Sequence, residues 1–229
     1  MVDGEIYPNN GENFDHNVNL ILMETNHHYF YHNYKGPKIA YNVWESTRQP
    51  EGFFNKLLEF DQIWVPSQWQ ADCTIEQGAD PDKVKVVPEG VDTETFYPED
   101  PQTTLDYVDG RFKFIHFGRW DYRKSTKEII NTFLKEFTPL SCARSEGWNL
   151  PLIEAMACGT PSIYSAGSAQ MQFASGKGLP VKIAGEKPAN INDYGRYTMS
   201  DLPGNYPEPD FEDLARVMRD AFENYTDHK

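Results

Sequence analysis

Residues 145–159 read Ser-Glu-Gly-Trp-Asn-Leu-Pro-Leu-Ile-Glu-Ala-Met-Ala-Cys-Gly, and the fold is decided by what this stretch becomes. Pro151 suits the first turn of a helix, where a missing N–H leaves no helical hydrogen bond unmade. Gly159 supplies a C-terminal stop, and Pro161 prevents continuation. Glu154 then falls within the first turn or so of a helix, and Glu146, ahead of Gly147, on the loop that feeds it. That arrangement aims two hydrogen-bond acceptors at one polyhydroxylated ligand above a helix N-terminus. The carboxylates alone also admit a plainer reading, in which Glu154 complements the helix dipole and Glu146 is a solvated loop charge.

Outward from this stretch, short apolar runs alternate with helical patterns. Residues 18–23 and 38–43 read as buried strands of the kind found in a parallel sheet covered on both faces. Residues 50–60 read as a helix with Phe54, Leu57, Leu58 and Phe60 on or near one face. Ile63–Val65 is a further strand, Ser67 caps a helix running to about Glu76, Gly78 ends it, and 84–87 returns as a strand. Residues 98–111 are polar, carry two prolines and form the connector between a domain at 1–98 and a second at 99–229. Beyond it, 111–117 reads as a strand, 126–137 as a helix and 162–164 as a strand; 166–210 is loop-dominated and 211–225 an amphipathic helix. The alternation predicts an α/β chain built on doubly wound parallel sheets.

The formal charge of −14 over 229 residues excludes a basic footprint for nucleic acid or anionic membrane. No apolar run is long enough to span a bilayer, and the first residues lack the pattern of a secretory signal. Cys73, Cys142 and Cys158 have no metal-ligand spacing and fit reduced thiols of a cytoplasmic protein. The histidines in 26–32 have no accompanying Cys or carboxylate set, which favours an aromatic loop or helix surface over a metal site.

Three other segments carry recognisable chemistry. They are Ile63-Trp-Val-Pro-Ser-Gln-Trp69, Lys85-Val-Val-Pro-Glu-Gly-Val-Asp92 followed by Phe96 and Pro98, and Phe114-Ile-His-Phe-Gly-Arg119 with Lys124 five residues on. In the last, Gly118 permits close backbone approach, Arg119 offers a planar fork to phosphate oxygens and Lys124 a mobile point charge. Taken alone, Arg119 and Lys124 read more readily as solvated charges after a strand.

Together with 145–159, these segments resemble, in order, the motifs of glycosyltransferase family 4, whose members are retaining, nucleotide-sugar-dependent enzymes of the GT-B fold. The resemblance runs with gaps over residues 38–222. It implies two Rossmann-like domains, the N-terminal one facing the acceptor and the C-terminal one holding a nucleotide-diphosphate sugar. It assigns the diphosphate to Gly118, Arg119 and Lys124, so that no metal or other cofactor is needed. Glu154 is implied for the ribose hydroxyls and Glu146, the catalytic residue of the set, for the donor sugar beside its anomeric carbon. Gly147, Trp148, Asn149 and Leu150 complete the donor loop, with Trp148 readable either as a stacking platform or as packing. Gly90 and Asp92 shape the turn at the domain boundary. Trp44-Glu45-Ser46, at a predicted strand end, is a place where the acceptor is within reach. The implied partners are a nucleotide sugar and a glycan, lipid or small-molecule acceptor.

The chain departs from the family in length. βα units expected between the helix at 126–137 and the signature loop are absent, and the N-terminal domain begins late, so both domains read as truncated. A second reading follows: a catalytically inactive relative that keeps the frame as a nucleotide-binding or structural module. A nucleotide-sugar epimerase shares the fold, but the Glu146–Glu154 pair disfavours it.

Overall fold

A computed structural model of the chain describes residues 18–22, 36–98, 114–136, 143–189 and 204–224. The histidine-rich stretch at 26–32, the connector from 99 onward and the link from Phe137 to Cys142 lie outside the described residues.

In the first half, β1 (Asn19–Ile21), β2 (Lys38–Tyr41), α1 (Glu51–Leu57), β3 (Gln62–Val65), α2 (Gln68–Glu76) and β4 (Val84–Val86) follow one another. The strands form a parallel sheet in the order β1-β2-β3-β4. Its register places Ile21 opposite Ala40, Ala40 opposite Ile63 and Ile63 opposite Val84. That row is one edge of a core completed by Phe54 and Leu57 of α1, Phe60, Val65, Ala71 of α2 and Ala79. Side chains two apart on a strand share a face, so Ile63 and Val65 both reach the helices, and neither is exposed. Each such fully buried aliphatic residue contributes about 1.5–3 kcal/mol. Strands laid down in sequence order make one wing of a doubly wound sheet.

Local chemistry sets the boundaries. The Ser67 hydroxyl accepts a hydrogen bond from the Gln70 amide at 3.3 Å, capping α2 as its sequence requires. After β4 the Asp92 carboxylate accepts from the Glu94 amide at 2.9 Å and the Thr95 hydroxyl at 2.8 Å, forming a side-chain-stabilised turn.

The second half contains α3 (Thr126–Glu136), α4 (Leu150–Ala157), β5 (Ile163–Ser165), α5 (Met171–Ala174), β6 (Leu179–Val181), β7 (Ile183–Pro188), β8 (Asn205–Pro209) and α6 (Phe211–Glu223). β5 and β6 pair in parallel; β7 and β8 form an antiparallel ribbon with an irregularity between Ile183 and Gly185. Ile129 and Phe133 of α3, Ile163, Val181, and Leu214, Val217, Met218 and Ala221 of α6 form a second core. The α6 residues recur at helical spacing and so make one stripe. Asp210 starts that helix by accepting from the amides of Glu212 and Asp213 at 3.0 and 3.1 Å.

Two expectations need correction. The described part of 111–117, residues 114–117, forms no strand, and Ile115 and Phe117 are more than half exposed. Without a paired neighbour an apolar run has nothing to fix it as a strand. The loop-dominated passage at 166–210 contains α5, β6, β7 and β8 among its described residues. Pro180, Pro188, Pro207 and Pro209 disguised those strands, since proline is tolerated at sheet edges and strand ends.

A third cluster joins the halves. Trp44, Ala189 and Tyr206 are buried together with Phe53 and Tyr122 against them, and Trp44 meets Phe53 edge-on at 6.0 Å. Beside it the Thr47 amide donates to the Asn205 carbonyl at 3.2 Å, and the Asn205 amide donates to the Thr47 hydroxyl at 2.9 Å.

Candidate functional site

The loop at 143–149 is held from beneath by one buried cation. Arg144 is 1% exposed, and its guanidinium donates to Glu208, to Glu128 at 3.0 Å, to the Ser125 hydroxyl at 3.0 Å and to the Tyr122 carbonyl at 2.6 Å. It also lies 3.9 Å from the centroid of the Tyr122 ring. Burial opposes the charge, yet the bonds to Glu208 and Glu128 outweigh it and hold Arg144 above its usual range. Burial likewise acts to raise Glu208, but the hydrogen bonds from Arg144 and Lys187 outweigh it and hold the carboxyl below the ordinary range. Ser125 adopts a left-handed conformation (φ 54°) to bring its hydroxyl into this network, at a cost of about 1–2 kcal/mol.

On that base the loop presents Glu146. Its amide donates to the Ser168 hydroxyl at 3.1 Å. Its carboxylate receives the Lys124 ammonium on Oε1 and Arg123 Nη1 on Oε2, the latter at 3.1 Å. Arg123 is itself buried, and its Nη1 also donates to the Ser145 carbonyl at 3.1 Å. Its Nη2 lies 3.7 Å from Glu45 Oε1, a residue of the first half. Burial opposes the charge of Arg123, but Glu45 and Glu146 outweigh it and hold the guanidinium above its usual range. Burial pushes the Glu45 carboxyl upward; Arg123 counters this and Glu146 adds to it. His116 is held below its usual value, first by burial and then by the Lys124 charge. Its Nε2 is 3.2 Å from the Thr126 hydroxyl, while Nδ1 is buried without a hydrogen-bond partner.

The motif residues divide. Gly118, Lys124 and Glu146 come together: a Cβ on Gly118 would stand 3.1 Å from the Lys124 stem, so glycine there lets the backbone lie over the lysine. Arg119 turns outward, its side chain 67% exposed and 3.2 Å from Asp121. Gly147 packs directly against Val43. Trp148 is buried with its ring 5.0 Å from Phe173, and its indole N–H has no hydrogen-bond partner. Asn149 takes a left-handed conformation (φ 82°) at the start of α4, Pro151 sits in the first turn as expected, and Leu150 is exposed. Glu154 is the fifth residue of α4, half-buried. No hydrogen bond or ion pair among the described residues joins its side chain to the Glu146 cluster.

Motif reading missed Arg123, His116 and Arg144. Arg123 is adjacent to Lys124, but sequence alone does not show which cation after a strand turns inward. Here Asp121 Oδ1 accepts the Lys124 amide at 2.8 Å, and the turn it makes swings 123 and 124 beneath the loop while 119 stays outside. Among the described residues no group of three or more His, Cys, Asp or Glu is placed to hold a metal, and no helix is long and apolar enough to cross a membrane.

No protein-family model matches the sequence, and no curated protein matches it. Solved structures do. HepE from Anabaena in complex with UDP aligns with a TM-score of 0.58 at 12% identity, over 83% of this chain and 64% of its own. A sucrose-phosphate synthase from Thermosynechococcus elongatus aligns at 0.57 and 16% identity, over 82% and 59%. A glycosyltransferase from Rickettsia africae aligns at 0.59 and 10% identity, over 90% and 66%. The chain thus spans 59–66% of the length of these three structures. At such identities the likeness establishes the fold, a mixed α/β architecture with parallel sheets of the GT-B kind.

Proposed function

We propose that the chain is a family 4 glycosyltransferase that moves a hexosyl group from a nucleotide-diphosphate sugar to a hydroxylated acceptor with retained anomeric configuration. The observation that carries this reading is Glu146 held by Lys124 and Arg123, beside Gly118, in a fold shared with HepE, a protein solved with UDP and with UDP-glucose. We assign residues 1–98 to the acceptor side and 99–229 to the donor side, in the cytoplasm and without a metal.

Lys124 and Glu146 neutralise each other in the ligand-free protein. A donor's diphosphate competes for the same ammonium, and its greater charge draws Lys124 away. Glu146 is then released as an acceptor-only carboxylate for hydroxyls of the donor sugar. Arg119 joins the phosphate from outside; its exposed pairing with Asp121 is worth at most about 1 kcal/mol and is readily exchanged. Gly118 and the amides of Gly147, Trp148, Asn149 and Leu150 line the approach, and Glu154 takes the ribose hydroxyls. The anomeric carbon–oxygen bond breaks, the nucleoside diphosphate leaves with the electron pair, the acceptor oxygen bonds to the carbon, and its proton passes to the departing diphosphate. Cations near that oxygen stabilise the developing charge.

Transfer and donor hydrolysis over a panel of UDP-, GDP- and ADP-sugars test the reading, with Glu146→Ala and Lys124→Ala as controls. Each substitution is expected to lower turnover at least about a hundredfold, the scale of losing one electrostatic contact to the transition state. Turnover that survives both would remove the assigned roles.

A further inference from the structure

Glu45 and Glu146 face one guanidinium from opposite halves of the chain. Arg123 stands 3.1 Å from the second carboxylate and 3.7 Å from the first. The Glu146 side chain is 9% exposed and that of Glu45 29%, so Glu45 is the one an incoming molecule reaches. Glu45 lies just beyond β2, at the carboxyl end of a parallel strand, where open α/β sheets bind ligands. It also faces the signature loop directly: a Cβ on Gly147 would come 3.5 Å from both Glu45 Cγ and the Trp44 carbonyl.

Close in sequence to the two carboxylates stand two buried polar side chains. Asn42, three residues before Glu45, is 4% exposed and its amide nitrogen Nδ2 has no hydrogen-bond partner. Ser145, next to Glu146, is fully buried and its hydroxyl likewise has none.

We propose that Glu45 is an acceptor-binding residue, accepting a hydrogen bond from a hydroxyl that neighbours the attacking one on a neutral, polyhydroxylated acceptor. This rests on the donor reading of Glu146 and Lys124. Beside the Arg123 guanidinium the Glu45 carboxyl oxygens can accept hydrogen bonds, and a sugar hydroxyl is a partner able to donate to them. Arg123, shared between Glu45 and Glu146, sets the spacing of acceptor and donor sugars across the junction.

The test is binding of methyl glucoside, methyl galactoside and methyl mannoside to the protein saturated with UDP, followed by saturation-transfer NMR. UDP affinity is measured calorimetrically on wild type, Glu45→Gln and Glu45→Ala. At least one glycoside is expected to bind wild type and to bind Glu45→Ala at least about tenfold more weakly, with UDP affinity within about twofold in all three proteins. Glu45→Gln, nearly isosteric, provides the folded control and is expected to fall between. Unchanged glycoside affinity in Glu45→Ala, or no glycoside bound by a wild type that binds UDP, overturns the proposal. Loss of UDP affinity in both variants overturns it too, because Glu45 would then serve only to brace Arg123. A wild type that binds no UDP removes the donor reading itself, a result distinct from the others.

Discussion

Beneath α1 and α2, the row Ile21, Ala40, Ile63 and Val84 closes the first half with carbon alone. Beneath the loop at 143–149, the comparable position is taken by Arg144, with Glu208, Glu128, Ser125 and Tyr122 drawn around it. The first arrangement is indifferent to pH and forgiving of volume-conserving exchange. The second has its ionic contacts built in, and is weakened when one partner of its buried Arg144–Glu208 pair is removed. The half that carries the loop at 143–149 is the one held by charge, so the placement of Glu146 depends on groups that do not touch its carboxylate.

The contrast breaks most sharply at Arg144. Arg144→Ala leaves Glu208 buried with Lys187 as its remaining cation and is expected to cost about 3–5 kcal/mol in denaturant unfolding. A loss under about 1 kcal/mol would show that the second half rests on its apolar stripe instead. Acid attacks the same contacts. Glu208 and Asp213 are held below ordinary carboxylate values, Asp213 by its bonds to the Lys182 amide and to Arg216 against the pull of burial. Their contribution is complete above the unfolded carboxyl value of about 4 and is lost as pH falls through their lowered folded values. Glu45 and Glu89 are shifted the other way by burial, so protonation relieves rather than weakens them. Amide exchange, corrected for its intrinsic rate, should therefore show β8 and α6 opening before β2 and β3 on acidification.

Leu57→Ala probes the apolar half and should cost about 3 kcal/mol, with no added sensitivity to acid. Next in size is an effect of opposite sign. Glu146→Gln removes the partner that neutralises Lys124, and should tighten UDP binding about tenfold, or 1.4 kcal/mol, by calorimetry even as transfer is lost. Weaker binding would mean that Glu146 supports the phosphate site rather than competing for its cation. Ser67→Ala, removing the cap of α2, is the smallest, at about 1 kcal/mol of thermal stability.

Legibility in sequence followed the same division. Elements β2 to α2 and the stripe of α6 were readable because apolar periodicity and a serine cap report directly on burial. The ribbon of β7 and β8 was hidden behind its prolines. Gly118, Lys124 and Glu146 were legible as motif positions, and the structure brings them together. Arg144 and Arg123 were not, because a buried arginine has the same letter as a solvated one and its partners lie far away in sequence. Arg119 was legible as a cation but not as one that faces outward.

The seam between the halves is closed by missing atoms. A Cβ on Gly147 would stand 2.3 Å from Val43 Cγ1, and one on Gly204, whose φ is +81°, 2.5 Å from the Arg48 amide nitrogen. Val43 is partly exposed and can swing aside, whereas the main chain at Arg48 cannot. A single methyl group at either position is thus a wedge: at 147 a soft one, at 204 a hard one. Inserted one at a time, they would hold the two halves apart by graded amounts and turn the spacing of Glu45 and Glu146 across the seam into an adjustable quantity.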